Sequence, residues 1–419
     1  APPEGGTTVP ITEAMIKALP KTDLHVHLDG SLRLRSLIEM AEDQGVELPS
    51  NTTEGLTELV FKESYNSLVE YLEGFTYTTA VLQDPESLER AAYELVIDNI
   101  EEGVRYVEVR FAPQLHINQT MDMLDVCLAV NRGLKRATDE FNRSEAVMEG
   151  REPPFNYGII VCALRMFVEE MSPYYKQVLA VHRESPTKYV FGLASLELAR
   201  AAVRIRDEYG LPIVGFDLAG QENGYPAHDH VEAYRYAHEH FLKKTVHAGE
   251  AYGPESIFQA ITLLHADRIG HGYHLFSPWL IEEGKVKDRG AYVRELAEYI
   301  ADRRITLEVC VTSNLQTNPH IRLAGNHVLH EMLNRSLSIT LCTDNRLVSN
   351  TTVTREVMLA IKTFRMDAKM LKNLIVYGFK RSFYPATYIE KREYVRQIID
   401  YYEAAERRFL DEDELAGEV

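Results

Sequence analysis

His25 and His27, in the segment TDLHVHLDG, have a spacing that suits metal binding. Side chains alternate between the two faces of a β-strand, so residues i and i+2 point the same way. Both imidazoles can therefore reach one ion, while the apolar residues around them face the opposite side. The same spacing occurs at His228 and His230 in AHDH, which we interpret as chance in a polar loop, so the pair alone does not establish a site.

Further polar residues follow later apolar runs: His247 and Glu250 in TVHAGE, His271 in RIGHGYH, and Asp344 in LCTDN. Each histidine alone could be an ordinary hydrogen-bonded residue, and the aspartate could cap the next helix. Together they predict one Zn²⁺ per chain, because three neutral imidazoles and a carboxylate suit that ion and leave a position for water. Iron, cobalt and manganese are also compatible. Glu250 is expected beside the metal as a proton carrier rather than a ligand.

These residues need a scaffold that gathers the ends of several strands. Short runs rich in Val, Ile and Leu alternate with longer stretches of helical periodicity, which is typical of parallel βα units. Eight such units, with no GxGxxG turn after the first strand, predict a (β/α)8 TIM barrel, which carries its chemistry at the carboxyl ends of its strands. The eight runs are Thr22–Leu28, Val104–Phe111, Tyr157–Leu164, Pro212–Leu218, Thr245–Ala248, Arg268–Gly270, Ile305–Cys310 and Ser338–Cys342.

Two segments are longer than simple crossovers require. Ser31–Glu102 is predicted to form several helices over the barrel mouth, as a lid. Leu164–Tyr209 contains an amphipathic stretch that fits either the packing of an extra helix or an interface, and packing is the simpler interpretation. We expect a single domain over residues 12–410, with flexible tails at 1–11 and 411–419.

Composition narrows the classes of partner. The chain has 419 residues, of which 45% are hydrophobic, and a formal net charge of -18, which disfavours nucleic acid and anionic membranes as partners. A small neutral or cationic ligand fits better. Four cysteines without CxxC spacing predict buried reduced thiols. No stretch approaches the roughly 18 apolar residues of a membrane span, and the first ten residues do not have the pattern of a signal peptide, so we expect a cytoplasmic protein.

In order along residues 22–345, several segments resemble the motif blocks of the adenosine deaminase family: TDLHVHLDGS, RYVEVRFAP, GFDLAG, TVHAGE, RIGHGYH, EVCVTSNLQT and CTDN. The resemblance implies a barrel fold and a metal-dependent hydrolase that removes the 6-amino group of an adenine nucleoside. It also implies zinc ligation by His25, His27, His247 and Asp344. Glu250 would then be the proton shuttle, and His271 would orient the hydroxide that attacks purine C6.

The same resemblance suggests substrate contacts. Asp29 would lie near the ribose 5′-hydroxyl and would repel a 5′-phosphate, and the backbone N–H of Gly220 would meet purine N3. Each also has a structural interpretation: Asp29 as a helix cap, Gly220 as a turn that needs positive φ. The segment Ser313–Thr317 resembles nucleoside-deaminating members, although Ser313 and Asn314 could be helix caps. Arg110, at a strand end, fits ion pairing between loops as well as substrate contact.

Asn345 departs from the family pattern, which has a second aspartate whose side chain meets purine N7. An asparagine amide always carries donor hydrogens, so the contact can persist. The expected reaction is deamination of adenosine or 2′-deoxyadenosine to inosine or 2′-deoxyinosine plus ammonia. Two alternatives remain: a modified adenine nucleoside as substrate, or a non-catalytic nucleoside-binding relative, against which the presence of Glu250 and His271 argues.

Overall fold

The computed structural model describes residues 11–318, 320–321 and 323–417. Its centre is an eight-stranded parallel sheet in which the strands follow one another in chain order. A bridge between Val26 and Asp344 joins the first strand to the end of the last, so the sheet closes on itself. This confirms the predicted (β/α)8 barrel. The strands are β1 (Lys21–His27), β2 (Val104–Phe111), β3 (Asn156–Leu164), β4 (Ile213–Ala219), β5 (Lys243–Ala248), β6 (Arg268–His271), β7 (Thr306–Val309) and β8 (Ile339–Leu341).

Helices connect and surround the strands. They are α1 (Glu13–Ala18), α2 (Leu34–Gln44), α3 (Thr53–Leu59), α4 (Leu68–Leu72), α5 (Phe75–Val81), α6 (Pro85–Glu101), α7 (Met123–Asn142), α8 (Glu145–Met148), α9 (Pro173–Val181), α10 (Thr187–Tyr209), α11 (Val231–Glu239), α12 (Pro254–Thr262), α13 (Arg289–Arg303), α14 (Val311–Thr317), α15 (Leu329–Asn334), α16 (Val353–Phe364), α17 (Ala368–Arg381) and α18 (Tyr388–Gly417).

The strands lie between the barrel interior and the helices, so both of their faces are covered. Every residue of β1, β2 and β4 is buried. Strands buried on both faces appear in the sequence as nearly continuous apolar runs, which is why the eight runs could be located. Charged residues within those strands must therefore find partners inside the protein.

The segment between β1 and β2 forms helices α2 to α6, and α4 and α5 supply one wall of the cavity at the barrel mouth. The lid interpretation of Ser31–Glu102 agrees with this placement. In the segment between β3 and β4, Met166 and Met171 line the same cavity. Helix α10 packs its apolar side inward, with Leu198 and Ile205 fully buried, so the packing interpretation holds for this helix.

All four cysteines are buried and unpaired. Of the predicted tails, residues 1–10 and 418–419 lie outside the described residues, while the backbone of 411–417 continues α18. Within the described part of the chain, the helices are too short or too polar to cross a membrane.

Candidate metal centre and active site

The structure brings the four predicted ligands together at the carboxyl end of the barrel. His25 and His27 come from β1, His247 from β5, and Asp344 lies three residues beyond the end of β8. One ligand atom from each lies within 4.8 Å of all the others. The Nε2 atoms of His27 and His247 are 3.2 Å apart, and Oδ1 of Asp344 lies 3.2 Å from Nε2 of His25 and 3.4 Å from Nε2 of His27. This arrangement can hold one metal ion.

Two of the site residues have an unusual backbone. His271 has a φ of 66° and Asp344 a φ of 62°, in the left-handed region that non-glycine residues rarely occupy. Such conformations cost free energy and persist where the surroundings hold them, often at functional sites. Asp344 is held by two backbone hydrogen bonds of 2.8 Å, from its N–H to the carbonyl of His25 and from the N–H of His27 to its own carbonyl. It is not a helix cap, because Thr352 caps the next helix, α16.

Buried carboxylates behind the histidines set which ring nitrogen faces the site. Nδ1 of His25 lies 3.0 Å from Oε1 of Glu308, and Nδ1 of His247 lies 2.9 Å from Oδ2 of Asp217. A ring N–H that donates to a carboxylate leaves the other nitrogen of a neutral imidazole without a proton. Both rings thus direct Nε2 toward the site, and that of His25 is buried without a hydrogen-bond partner. These donor atoms fit a metal cation.

Arg110 connects the two carboxylates and does not contact the cavity. Its guanidinium donates to Oδ2 of Asp217 and to Oε1 of Glu308, both at 3.0 Å, with all three side chains fully buried. Arg268 adds a bond of 2.7 Å to Glu308 and one of 2.5 Å to Glu108. Burial opposes the charge of Asp217, but His247 and Arg110 outweigh it and hold the pKa of Asp217 well below its ordinary value. The ion-pairing interpretation of Arg110 holds, although its partners are strand residues in the barrel rather than loops.

Glu250 lies beside the four residues, in the turn after β5. Burial, followed by the negative charge of Asp344, raises the pKa of Glu250 to about 8. Glu250 therefore keeps a proton at neutral pH. The turn is held by the carboxylate of Glu222, which accepts hydrogen bonds from the N–H groups of Gly249, Glu250 and Ala251 at 2.9 to 3.0 Å.

His271 adjoins the same space from the end of β6. Its Nε2 lies 3.5 Å from Oε1 of Glu250 and 3.9 Å from Oδ2 of Asp344. Burial lowers the pKa of His271 well below its ordinary value, so the ring is neutral. Ser313 donates to Oδ2 of Asp344 at 2.7 Å, and Asn314 contacts Nδ1 of His271 at 3.1 Å. Neither caps α14, whose N-cap is Cys310.

A second set of close ligand atoms, from His25, His271, Cys310 and Asp344, overlaps the first. Burial raises the pKa of the Cys310 thiol well above its ordinary value, so this sulfur keeps its proton and is a poorer ligand. The first set fits a metal better. Away from the site, His230 is buried against Ser195 at 2.7 Å, in agreement with the interpretation of the AHDH spacing as chance.

A cavity of about 1000 Å³ opens from this cluster and is bordered by Asp29, Gly220 and Asn345. Asp29 is buried, and its Oδ1 has no hydrogen-bond partner. The capping interpretation of Asp29 is wrong, because α2 begins at Leu34 with Arg33 as its cap residue. Gly220 has a φ of 92°, so the turn that needs positive φ is present and also borders the cavity.

Asn345 is held in the lid-facing wall. Its Nδ2 donates to the hydroxyl of Tyr71 at 2.9 Å, whereas its Oδ1 is buried without a partner. The Tyr71 hydroxyl also lies 2.6 Å from Oγ of Ser349. A Cβ atom on Gly30 would lie 1.9 Å from Oδ1 of Asn345, so only glycine leaves room for this side chain.

Sequence reasoning assigned no role to three supporting carboxylates: Asp217, Glu308 and Glu222. Asp217 and Glu308 stand within the apolar runs of β4 and β7, and Glu222 lies two residues beyond the DLAG segment. A charged residue inside a run that is otherwise buried is a signal that could have identified the first two.

Comparisons with known proteins identify the family of this chain. The family model for adenosine deaminase matches residues 20–401. An adenosine deaminase from Mycobacterium marinum is 34% identical over 395 residues, which cover 94% of this chain and 97% of the relative. Among solved structures, an adenine deaminase from Arthrobacter aurescens superposes with a TM-score of 0.72 at 21% identity, covering 92% of this chain and 99% of the other. An amidohydrolase from Burkholderia ambifaria with bound Zn gives a TM-score of 0.73 at 19% identity, with 97% of each chain covered. The chain therefore belongs to the adenosine deaminase family of hydrolases, which act on C–N bonds in the deamination of purines.

Proposed function

We propose that the protein is a zinc-dependent deaminase that converts adenosine or 2′-deoxyadenosine to the corresponding inosine and ammonia. The observation that carries the proposal is the convergence of His25, His27, His247 and Asp344, with ligand atoms within 4.8 Å of one another. Glu250 and His271 adjoin that cluster, and a cavity large enough for a purine nucleoside opens from it.

Zinc is the metal we assign to the site, with His25, His27, His247 and Asp344 as its ligands. Three imidazoles and one carboxylate are a typical zinc donor set, and the similar amidohydrolase from Burkholderia ambifaria holds Zn. A bound Zn²⁺ lowers the pKa of a water molecule to about 7 and so supplies a nucleophile at neutral pH.

Glu250 and His271 have separate tasks in this proposal. Protonated Glu250 donates its proton to purine N1, which makes C6 more electrophilic. His271 donates a hydrogen bond to the oxygen that attacks C6 and stabilises the charge that develops there. Glu222 fixes the turn that carries Glu250, because its carboxylate accepts hydrogen bonds from three backbone N–H groups of that turn.

Three residues would select the substrate. The unpaired carboxylate oxygen of Asp29 can accept a hydrogen bond from a ribose hydroxyl, and its charge would repel a phosphate at the same place. The backbone N–H of Gly220, in a positive-φ turn at the cavity edge, can donate to purine N3. Asn345 would meet purine N7.

The Asn345 amide favours a second candidate, a modified adenine nucleoside. With Nδ2 bound to Tyr71, the amide leaves the acceptor Oδ1 unpaired, whereas purine N7 is itself an acceptor. An unmodified adenine needs the amide turned by 180°, so that Oδ1 accepts from Tyr71 and Nδ2 faces N7. A substrate with a donor group at that position would fit without the turn.

The experiment that tests the proposal is ammonia release by the zinc-loaded protein with adenosine, 2′-deoxyadenosine, 5′-methylthioadenosine, AMP and adenine. Turnover of adenosine with rejection of AMP supports the proposed substrate. Zinc binding with turnover of only a modified nucleoside supports the second candidate. Zinc binding without turnover of any purine would refute a deaminase function.

The role of Glu250 is tested by Glu250→Gln, which keeps the size of the side chain but removes its acidic proton. We expect kcat to fall by about 10²–10⁴-fold, which is the usual contribution of a general acid, while bound zinc stays at one per chain. Glu239→Gln, at an exposed position of α11, is the matched control and should leave kcat unchanged. Unchanged turnover in Glu250→Gln would rule out the shuttle role.

A further inference from the structure

A chain of buried hydrogen bonds runs from α15 to the active site. The backbone N–H of Leu329 lies 3.0 Å from Nδ1 of His327, whose Nε2 lies 3.1 Å from Oδ1 of Asn314. Nδ2 of Asn314 then lies 3.1 Å from Nδ1 of His271. His327, Asn314 and His271 are each at most 1% exposed, so water does not compete for these contacts.

The direction of every bond in the chain follows from its first donor. A backbone N–H can only donate, so Nδ1 of His327 has no proton and its Nε2 carries one. That proton is donated to the amide oxygen of Asn314, which fixes the orientation of the amide. The amide nitrogen therefore faces His271 and donates to Nδ1, because an amide nitrogen cannot accept. Nδ1 of His271 is bare, and the proton of this neutral ring resides on Nε2.

We propose that Asn314 and His327 are positioning residues that hold His271 as the Nε2–H tautomer, so that it faces the reacting atoms only as a hydrogen-bond donor. This inference rests on the proposed function for the identity of the reacting atoms, but the tautomer itself does not depend on it. The structure offers the proton no strong partner: Nε2 is buried without a hydrogen bond, 3.5 Å from Oε1 of Glu250.

The tautomer determines what His271 can do in the reaction. An Nε2 that already carries a proton can donate a hydrogen bond to the oxygen that attacks C6, but cannot take a proton from it. The proton that leaves the attacking water must go to a carboxylate instead, and Glu250 becomes able to accept it once its own proton has passed to purine N1. Glu250 then delivers this proton to the departing amino group, which leaves as ammonia. The remaining proton of the C6 hydroxyl passes to Glu250 as the C6 carbonyl forms, so Glu250 ends the cycle protonated, as it began.

The direct test is the ring ¹⁵N spectrum of histidine-labelled protein at pH 7, recorded with and without Zn²⁺. The signal of His271 is identified by its loss in His271→Asn. We expect a neutral ring with a proton on Nε2 and none on Nδ1 in both samples. A proton on Nδ1 of His271, in either the other tautomer or the imidazolium form, would overturn the proposal.

Asn314→Asp reverses the last bond of the chain without changing the size of the side chain. A carboxylate there can only accept, so we expect the proton of His271 to move to Nδ1. His330→Gln is the matched control, because the ring of His330 bonds to the backbone carbonyl of His327, at 2.9 Å, and not to a side chain of the chain of hydrogen bonds. This variant loses the signal of His330 itself but should leave the signal of His271 unchanged. An unchanged His271 spectrum in Asn314→Asp would contradict the assignment.

Kinetics give a second readout. For Asn314→Asp we expect kcat to fall by about 10–100-fold, as for other groups that orient site residues, with zinc content and KM close to those of the wild type. A raised KM with unchanged kcat would indicate a merely structural role for Asn314. Should Asn314→Asp fail to fold, the wild-type spectrum and the kcat of His327→Phe decide the question. If the wild type deaminates no nucleoside, the proposed function fails while the spectrum still tests the tautomer.

Discussion

The clearest consequence of the buried carboxylates concerns Asp217, which we expect to control both metal affinity and stability. Its two oxygens accept from Nδ1 of His247, from Nη1 of Arg110 at 3.0 Å, and from the N–H of Leu218 at 2.8 Å. In Asp217→Asn, one oxygen becomes an amide nitrogen that must lie against a donor. His247 then loses the partner that orients its ring. Of the two carboxylates that pair with Arg110, only Glu308 keeps its charge.

The size of the effect follows from these contacts. Loss of a carboxylate that orients a metal-binding histidine weakens metal affinity by about 10–100-fold, or about 1.4–2.7 kcal/mol. Breaking a buried ion pair from one side destabilises a fold by about 3–5 kcal/mol. Since Arg110 retains Glu308, we expect the lower end of that range for the metal-free protein.

Two assays separate the effects: competition titration of Zn²⁺ against a chelator for affinity, and denaturant unfolding of the metal-free protein for stability. Asp207→Asn is the matched control, because Asp207 pairs with Arg206 at the surface, where such pairs contribute about 1 kcal/mol or less. If folded Asp217→Asn bound Zn²⁺ within about twofold of the wild type, the orienting role of this carboxylate would be refuted.

Two further predictions concern a glycine and a buried lysine. Gly30→Ala should displace the Asn345 amide, because Oδ1 of Asn345 would lie 1.9 Å from the new Cβ. We expect kcat/KM for adenosine to fall by about tenfold or more. Gly325→Ala is the control and should leave kcat/KM unchanged in the same assay, because Gly325 has open space around it. Lys21 has its pKa lowered to about 7, chiefly by burial. The unfolded chain, with a lysine pKa near about 10.4, therefore binds more protons above pH 7, and the free energy of unfolding should rise by about 2 kcal/mol between pH 7 and pH 9. Denaturant unfolding should show that this rise is lost in Lys21→Met and kept in Lys17→Met; a rise retained in Lys21→Met would contradict the assignment.

The strands and the reacting residues could be predicted from the sequence, because each is marked by a pattern of neighbouring residues. The runs of β1 to β8 are rich in apolar residues because both of their faces are buried, and HxH, HAGE, HG and TD segments end four of them. The ion pairs behind the metal centre could not be predicted in this way. Arg110, Asp217 and Glu308 belong to three different strands and meet only inside the closed barrel. Periodicity cannot reveal such pairs, because strands buried on both faces show no polar side.

The orientation of the Asn314 amide also lay beyond sequence reasoning. It depends on His327, which is 13 residues away along the chain, and on a backbone N–H at the start of α15. The helix-cap interpretations of Ser313 and Asn314 followed residue preferences at helix ends. Those preferences were outweighed by the contacts that these side chains make with Asp344 and His271.

The ion pairs beneath the metal centre also bear on how the barrel is assembled. Arg110 in β2 reaches Glu308 in β7, and Arg268 in β6 reaches Glu108 in β2, so these bonds cross from one half of the barrel to the other. Neither half can bury its charged interior alone without leaving charges uncompensated. Closure of the last strands is therefore the step at which the buried charges of the interior become paired. The fold and the metal centre should consequently form together, as one cooperative event, rather than half by half.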